Sequence, residues 1–328
     1  MKYLILILLS LCSYSIDLSG QIIMPTPGKI ERADDRLRLQ GKIRMYAEES
    51  PGSFIRLFYE KLVPESAVEW CKEEVNSHIS WKKDVTLPTE GYRIRVTPER
   101  IIVEAADDAG FIYAIQSLRQ WNTGEERGLI FPCVEITDFP RVKWRSFMLD
   151  SGRQYQKVST IKKYIDMASM LKMNYFHWHL TEGLGWRIEI KRYPFLTRIG
   201  AFVGQGPEQQ GFYSQEEVKE IIGYAADRGI TVVPEIDMPG HAEAALNAYP
   251  RLGCFNVAVK VPQSGFTQNI FCAGKDSTLI FLKNVLDEVC RMFPSAYIHL
   301  GGDEAPKGNW DKCPDCRSRI EKEKLKQS

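Results

Sequence analysis

His299-Leu-Gly-Gly-Asp-Glu304 sets two carboxylates side by side after a pair of glycines. The run leading into it, Ser295-Ala-Tyr-Ile-His-Leu300, is apolar and partly aromatic. It follows a helical pattern from Leu279 to Met292, so the spacing predicts a short strand ending at Gly301-Gly302. Asp303 and Glu304 then stand on the lip of that strand. Adjacent acids repel, and in a closed site one keeps its proton while the other ionises, giving an acid and a charge stabiliser from neighbours. A bare Asp-Glu pair is more often a solvated turn. The glycines and the apolar strand favour chemistry here.

Outward from this stretch, the sequence alternates strands and helices. Trp144 to Leu149 reads as a strand, Ser159 to Leu171 as a helix, Met173 to Leu180 as a strand, and Ser214 to Asp227 as a helix opened by a Ser-x-x-Glu capping box. Ile230 to Ile236 is a third strand, Thr278 to Met292 a helix and Ala296 to Leu300 a fourth strand. This order predicts parallel βα units. The groups Asp150/Arg153, His179/Glu182, Glu235/Asp237/His241 and Asp303/Glu304 each fall at or just past the C-terminal end of a strand. A (β/α)8 barrel builds its active site there. The expected fold class is therefore α/β: a (β/α)8 TIM-barrel catalytic domain over 140–328, with only the first four βα units present. Such a barrel takes about 250 residues and eight strands. Half of one leaves two open sheet edges and half a core. The expectation is a fragment of a longer protein; completion by a second chain and a degenerate copy are the alternatives.

The segment 21–139 has a different texture. Short alternating strands run from Met24-Pro-Thr-Pro-Gly28 onward, and Tyr92-Arg-Ile-Arg-Val96 and Arg100-Ile-Ile-Val-Glu104 flank Thr97-Pro-Glu as a hairpin would. Asp108 to Leu118 carries apolar residues at helical spacing. This reads as a small α+β domain with no constellation of acids or histidines, and its expected role is to pack against the catalytic domain.

Met1-Lys-Tyr and the apolar run Leu4 to Leu11 have the charged and hydrophobic regions of a signal peptide over 1–20, too short to span a bilayer. Cleavage is expected near Gly20-Gln21, with lipidation at Cys12 the weaker alternative. The expected location is exported: periplasmic, outer-membrane associated or secreted. The 328 residues are 44% hydrophobic with a net charge of +1, which gives no electrostatic case for nucleic acid. With Cys12 set aside, an odd number of the eight cysteines remains, so at least one is free or pairs elsewhere. Cys254 and Cys272 bracket a loop, and Cys313-Pro-Asp-Cys316 could close locally or bind metal. A zinc site usually needs four ligands. Neither a second Cys-x-x-Cys nor a His-x-x-x-His appears, so a local disulfide or two thiols is expected, and no metal. No phosphate loop, Ser-His-Asp arrangement or EF-hand stands out, so no cofactor is expected.

The window His299 to Trp310 resembles the signature of family 20 glycoside hydrolases, the β-N-acetylhexosaminidases. Three further stretches resemble that family in its order: Asp150-Ser-Gly-Arg153; Asn174-Tyr-Phe-His-Trp-His-Leu-Thr181 with Gly185-Trp-Arg-Ile-Glu-Ile190; and Val233-Pro-Glu-Ile-Asp-Met-Pro-Gly-His241. The resemblance runs from about Ile23 to the end. It implies an exo-acting enzyme that removes terminal N-acetylglucosamine or N-acetylgalactosamine from an oligosaccharide or glycoconjugate. In such enzymes the substrate's own 2-acetamido carbonyl attacks the anomeric carbon, so family 20 stands outside the two-carboxylate scheme. Glu304 would then be the general acid and Asp303 the residue that orients the acetamido group. The stretch also lacks the second half of the family's barrel, leaving an inactive relic or a sugar-binding remnant as the rival reading.

The resemblance gives Arg153 the grip on sugar hydroxyls, against a plain salt bridge to Asp150. His177 and His179 share one strand face and Trp178 takes the other; His179 is the one expected to approach substrate. His241 and Glu182 would form a relay to the general acid. Here the chain departs from the family, reading Glu182-Gly-Leu-Gly-Trp186 where many members have Asp-Asp-Gln-Gly-Trp. Asp237 is the alternative partner for His241. Glu235 reaches the rim or packs on a lysine. Trp310 is expected to stack on a sugar or to lie as a core ring beneath the loop, and Trp178 and Trp186 are core.

Overall fold

The computed structural model describes residues 22–124, 128–204, 206–261 and 267–326. The expected signal segment 1–20, with Cys12, lies outside them.

The first domain is a seven-stranded sheet: β1 (Lys29–Leu39), β2 (Ile43–Ala47), β3 (Val68–Trp70), β4 (Ile79–Lys83), β5 (Tyr92–Val96), β6 (Ile101–Ala105) and β7 (Leu129–Asp138), in the order β1-β7-β5-β6-β4-β2-β3. Helices α1 (Phe54–Lys61) and α2 (Asp108–Trp121) accompany it. The expected hairpin is present, with Tyr92 paired to Ala105 and Val96 to Ile101. Tyr92, Ile94 and Val96 point to the core, and the arginines between them do not. Asp107 caps α2 by accepting the Gly110 amide, one of the orphan donors of a helix start.

The second unit contains β8 (Ser146–Asp150), α3 (Val158–Met170), β9 (Tyr175–His179), a tight pair β10 (Thr181–Glu182) and β11 (Gly185–Trp186), then α4 (Phe195–Arg198), α5 (Gln215–Ala226), β12 (Thr231–Glu235), α6 (Glu243–Ala248), α7 (Asp276–Met292), α8 (Gly308–Lys312) and α9 (Pro314–Lys322). Strands β8, β9 and β12 form one parallel sheet with β9 in the centre. This is the start of the expected barrel. The Ser214 capping box opens α5 with both reciprocal bonds. Phe147, Leu149, Phe176, Trp178 and Val232 face outward into the helix-covered core with Ile161, Ile165, Val218 and Ile221.

The expected fourth strand over Ala296 to Leu300 needs correction: it does not form a full ladder. His299 makes a single parallel bridge to Glu235, and its N–H donates to the Pro234 carbonyl at 3.0 Å. Among the described residues nothing pairs with its outer side, and a segment bonded on one side only has half the ladder to hold it. The inner face of the half barrel is correspondingly open. Met148, which shares this face with its register partner His177, is 55% exposed, and Tyr297 is 58% exposed. Trp144 stacks on Tyr175 beside them at 3.6 Å between ring centres.

The two units are joined by buried polar contacts. The Lys172 ammonium donates to Asp138 Oδ2 at 2.8 Å and to the Tyr92 hydroxyl at 2.7 Å. Arg228 Nη2 meets both oxygens of Glu60 at 2.7 Å, and Gln116 donates to Ser169 at 2.9 Å. Burial pulls the Lys172 ammonium below its ordinary range, and Asp138 offsets only part of that. The first domain thus grips the outer helices of the half barrel, in keeping with a supporting role. Asp138→Asn is expected to cost about 3 kcal/mol, because it strands a buried ammonium. Adding Lys172→Met should recover most of the loss in urea denaturation, and an unchanged midpoint for the single variant would contradict the account.

Candidate active site

Three strand ends meet on Glu235. Its Oε2 lies 2.6 Å from His177 Nε2 and 2.8 Å from His179 Nδ1, and its Oε1 lies 3.0 Å from His299 Nδ1. Register brings them together, since Glu235 pairs with His179 on one side and bridges to His299 on the other. Burial by itself would raise this carboxyl. The hydrogen bonds from His177 and His179 outweigh it and hold Glu235 far below the usual carboxylate range. His179 is buried, and its Nε2 faces the Thr181 carbonyl at 2.9 Å, so both ring nitrogens meet acceptors. Burial opposes a charge on this ring, but the Glu235 carboxylate prevails and raises its pKa. Glu235 therefore packs on histidines and not on a lysine. His179, expected to approach substrate, has its two ring nitrogens at Glu235 and the Thr181 carbonyl.

Beyond His299 the chain turns through backbone that favours glycine. Gly301 and Gly302 have φ of 63° and 107°, and a Cβ on Gly301 would lie 1.9 Å from Asp237 Oδ1. That close approach lets the Gly302 amide donate to Asp237 Oδ1 at 3.1 Å. Burial pushes the Asp237 carboxyl up to about 6, partly offset by this bond. Asp237 thus holds the turn that carries Asp303 and Glu304, and it influences His241 through its charge.

The turn delivers both acids to one imidazole. His241 Nε2 is 3.5 Å from Asp303 Oδ2 and 3.5 Å from Glu304 Oε2. His241 Nδ1 lies 2.7 Å from Glu182 Oε1, which also sits 2.6 Å from Arg153 Nη2. Arg153 Nη1 in turn lies 2.7 Å from Asp150 Oδ2. The result is a continuous line of alternating charge from Asp150 through Arg153, Glu182 and His241 to the acid pair. Glu182, one methylene longer than the family's common aspartate, does reach His241. Its hydrogen bond is the main reason that the imidazole pKa rises to about 9; burial opposes it, and Asp237 and Asp303 add to it. Glu182 and His241 are buried, while Asp303 and Glu304 side chains are 64% and 67% exposed. The acids therefore sit at the open rim of a buried charge line.

Arg187 is the residue that the sequence reading missed. Its fully buried guanidinium donates to five carbonyls, those of Ser151, Gly152, Leu184, Ala201 and Gly211, at 2.8 to 3.3 Å. Burial lowers its pKa to about 10. It ties the loop after β8, which carries Arg153, to the β10–β11 turn, which carries Glu182. The available signal was an arginine between Trp186 and Ile188 in an apolar run. Trp310, expected against a sugar, donates its indole N–H to the Phe271 carbonyl at 2.9 Å and packs on a cluster of cysteines. No disulfide forms among the described residues, including the local Cys313–Cys316 bond held open as an expectation.

Two outcomes test this geometry. Arg187→Met removes the donor that these carbonyls share, leaving only the Ala201 carbonyl with a backbone amide, from Gly211, among the described residues, and is expected to cost about 3 kcal/mol or more in denaturant unfolding. His241 has its pKa raised on folding, so its contribution to stability is complete below the unfolded value of 6.5 and is lost as pH rises through about 9. His241→Gln should remove that fall from melting curves taken across this window, and an identical slope in both proteins would refute the pairing.

The comparisons with known proteins agree with this arrangement. Residues 142–328 match the catalytic domain of glycosyl hydrolase family 20, and residues 21–139 match domain 2 of the same family. A beta-hexosaminidase from Porphyromonas gingivalis is 41% identical over 326 residues, covering 94% of this chain and 42% of that protein. The crystal structure of a beta-N-acetylhexosaminidase from Bacteroides fragilis is 97% identical with a TM-score of 0.90, covering 94% of this chain and 61% of that one. A Vibrio harveyi exo-beta-N-acetylglucosaminidase in complex with N-acetylglucosamine is 30% identical with a TM-score of 0.84, covering 94% and 50%. The chain thus spans about half the length of the curated relatives it matches. With both domain models matched in order and the rim acids seated at the fourth strand position, the chain belongs to glycosyl hydrolase family 20.

Proposed function

We propose that the protein of which this chain forms part hydrolyses terminal β-linked N-acetylhexosamine from an oligosaccharide or glycoconjugate, retaining configuration through the substrate's acetamido group. The observation that carries this reading is the charge line ending on Asp303 and Glu304, with His241 3.5 Å from each. In the proposed reaction the acetamido oxygen forms a bond to the anomeric carbon as the glycosidic bond breaks, and Glu304 gives its proton to the departing oxygen. Asp303 orients the acetamido group and balances the positive charge of the oxazolinium-like ring. Glu304 then takes a proton from water as that water opens the ring. His241, held by Glu182 at 2.7 Å, lies 3.5 Å from each acid and so helps to position the pair. Arg153 is 46% exposed, and its guanidinium hydrogens not facing Asp150 and Glu182 are donors for sugar hydroxyls. We further infer that the open inner face is closed by the rest of the barrel, from the same protein or a second chain, and that the protein is exported.

The second reading is a sugar-binding remnant without turnover. Release of chromophore from an N-acetyl-β-glucosaminide separates the two. Turnover is expected to fall about 10²- to 10⁴-fold in Glu304→Gln, the usual worth of a positioned general acid. Asp303→Asn should fall comparably, and a glycoside lacking the 2-acetamido group should not be cleaved. Cleavage of that glycoside would sink substrate assistance; sugar binding without turnover would favour the remnant.

A further inference from the structure

Four cysteines from three separated segments converge beside α9. Cys272 Sγ lies 3.5 Å from Cys316 Sγ and 3.8 Å from Cys313 Sγ, and Cys254 Sγ lies 3.9 Å from Cys316 Sγ. All four sulfurs fall within 4.8 Å of one another. A disulfide holds its sulfurs at about 2.05 Å, well inside any of these separations. A tetrahedral zinc thiolate has Zn–S bonds of about 2.3 Å, so the edges of its sulfur tetrahedron are about 3.8 Å. The observed spacings lie around that edge length.

From this convergence we propose that Cys254, Cys272, Cys313 and Cys316 bind one zinc ion in a closed, structural tetrathiolate site. The local backbone suits thiolates. Cys313 precedes α9 with Pro314 at its first position, so Cys313 and Cys316 sit at a helix N-terminus, where negative charge is favoured. Cys313 accepts the Cys316 amide, and Cys316 accepts the Gly274 amide. Gly274 lets the loop come this close, because a Cβ there would lie 2.2 Å from the Cys316 nitrogen. The other pair, Cys254 and Cys272, is brought together by the antiparallel bridge of Gly253 with Phe271 and by the Cys272 amide donating to the Leu252 carbonyl at 2.8 Å. Cys272, Cys313 and Cys316 are buried and Cys254 is half-buried, so four sulfurs enclose one point away from water. They form their own small cluster with Trp310, separate from both large cores.

Binding would release thiol protons to solvent and oxidise nothing. Its role is mechanical. The described residues between α6 and α7 have little regular structure, and α8 leads from Glu304 straight into Cys313. The ion would fasten both to one point and fix the far end of the segment that bears the acid pair.

Metal analysis of the purified protein, prepared without chelator, is expected to give one zinc per chain. Exchange into cobalt should produce the thiolate charge-transfer band and the strong visible bands of a tetrahedral sulfur site. Cys316→Ser should lose the metal, whereas Cys290→Ser, which alters an exposed cysteine outside the cluster, should keep it. If Cys316→Ser does not fold, the cobalt spectrum of the unaltered protein decides. Iron in place of zinc, an intact mass showing cysteine pairs oxidised to disulfides, or four reactive thiols with no metal would each overturn the proposal.

Discussion

The buried Glu235 carboxylate is the contact on which the rest of the site depends. It gathers His177 and His179 from one strand and His299 from the next strand position, all within 3.0 Å. A buried carboxylate is costly unless its lone pairs are filled; His177 and His179 hydrogen-bond to it, while His299 Nδ1, which accepts the Gly301 amide, lies 3.0 Å away. The fourth segment is held to β12 and the residues after it by three backbone hydrogen bonds, from the His299 amide to the Pro234 carbonyl, from the Ile236 amide to the His299 carbonyl and from the Met238 amide to the Leu300 carbonyl, each at 3.0 Å. The side-chain contact of His299 with Glu235 adds to these. Two residues further on, the glycine turn begins, and with it the position of Asp303 and Glu304.

A second constraint acts through Arg187. Its five carbonyl partners come from loops that have no regular secondary structure in common. Carbonyls at strand ends lack ladder partners, and a planar fork of donors can satisfy several at once. This fixes Arg153 and Glu182 relative to each other without using either side chain. Arg153 then bridges Asp150 and Glu182, and Glu182 holds His241. Each link satisfies a charge left open by the one before it, and the line ends on the two exposed carboxylates beside His241.

The N-terminal domain contributes no group to this line. Its sheet lies behind the outer helices, joined to them through Lys172, Arg228 and Gln116. These are buried charges and amides that lose their partners if the domains separate, so the interface is specific in geometry as well as in area. The open inner face, with Met148 and Tyr297 exposed, is the surface that further barrel strands cover in a complete fold of this class.

Much was legible in the sequence because it is local. The alternation of Tyr92, Ile94 and Val96, the Ser214 capping box and the order of βα units depend on neighbours a few residues away, and the structure has them where periodicity puts them. The placing of the candidate groups at strand ends was equally legible, since strand direction follows from the βα order. Three features were not. The hub at Glu235, the five carbonyls on Arg187 and the meeting of Cys254 and Cys272 with Cys313 and Cys316 join residues tens of positions apart, and spacing along the chain carries no distance between them. The same applies to Trp310, whose aromatic character suits a sugar or a cysteine cluster alike until packing chooses. The sequence by itself determined the elements, their order and the family, because propensity, capping and motif spacing act over short range. Only the tertiary structure decided which acid meets which histidine and which thiols meet at all, because buried charges and sulfurs take their partners from whatever the packed chain brings within a few ångströms.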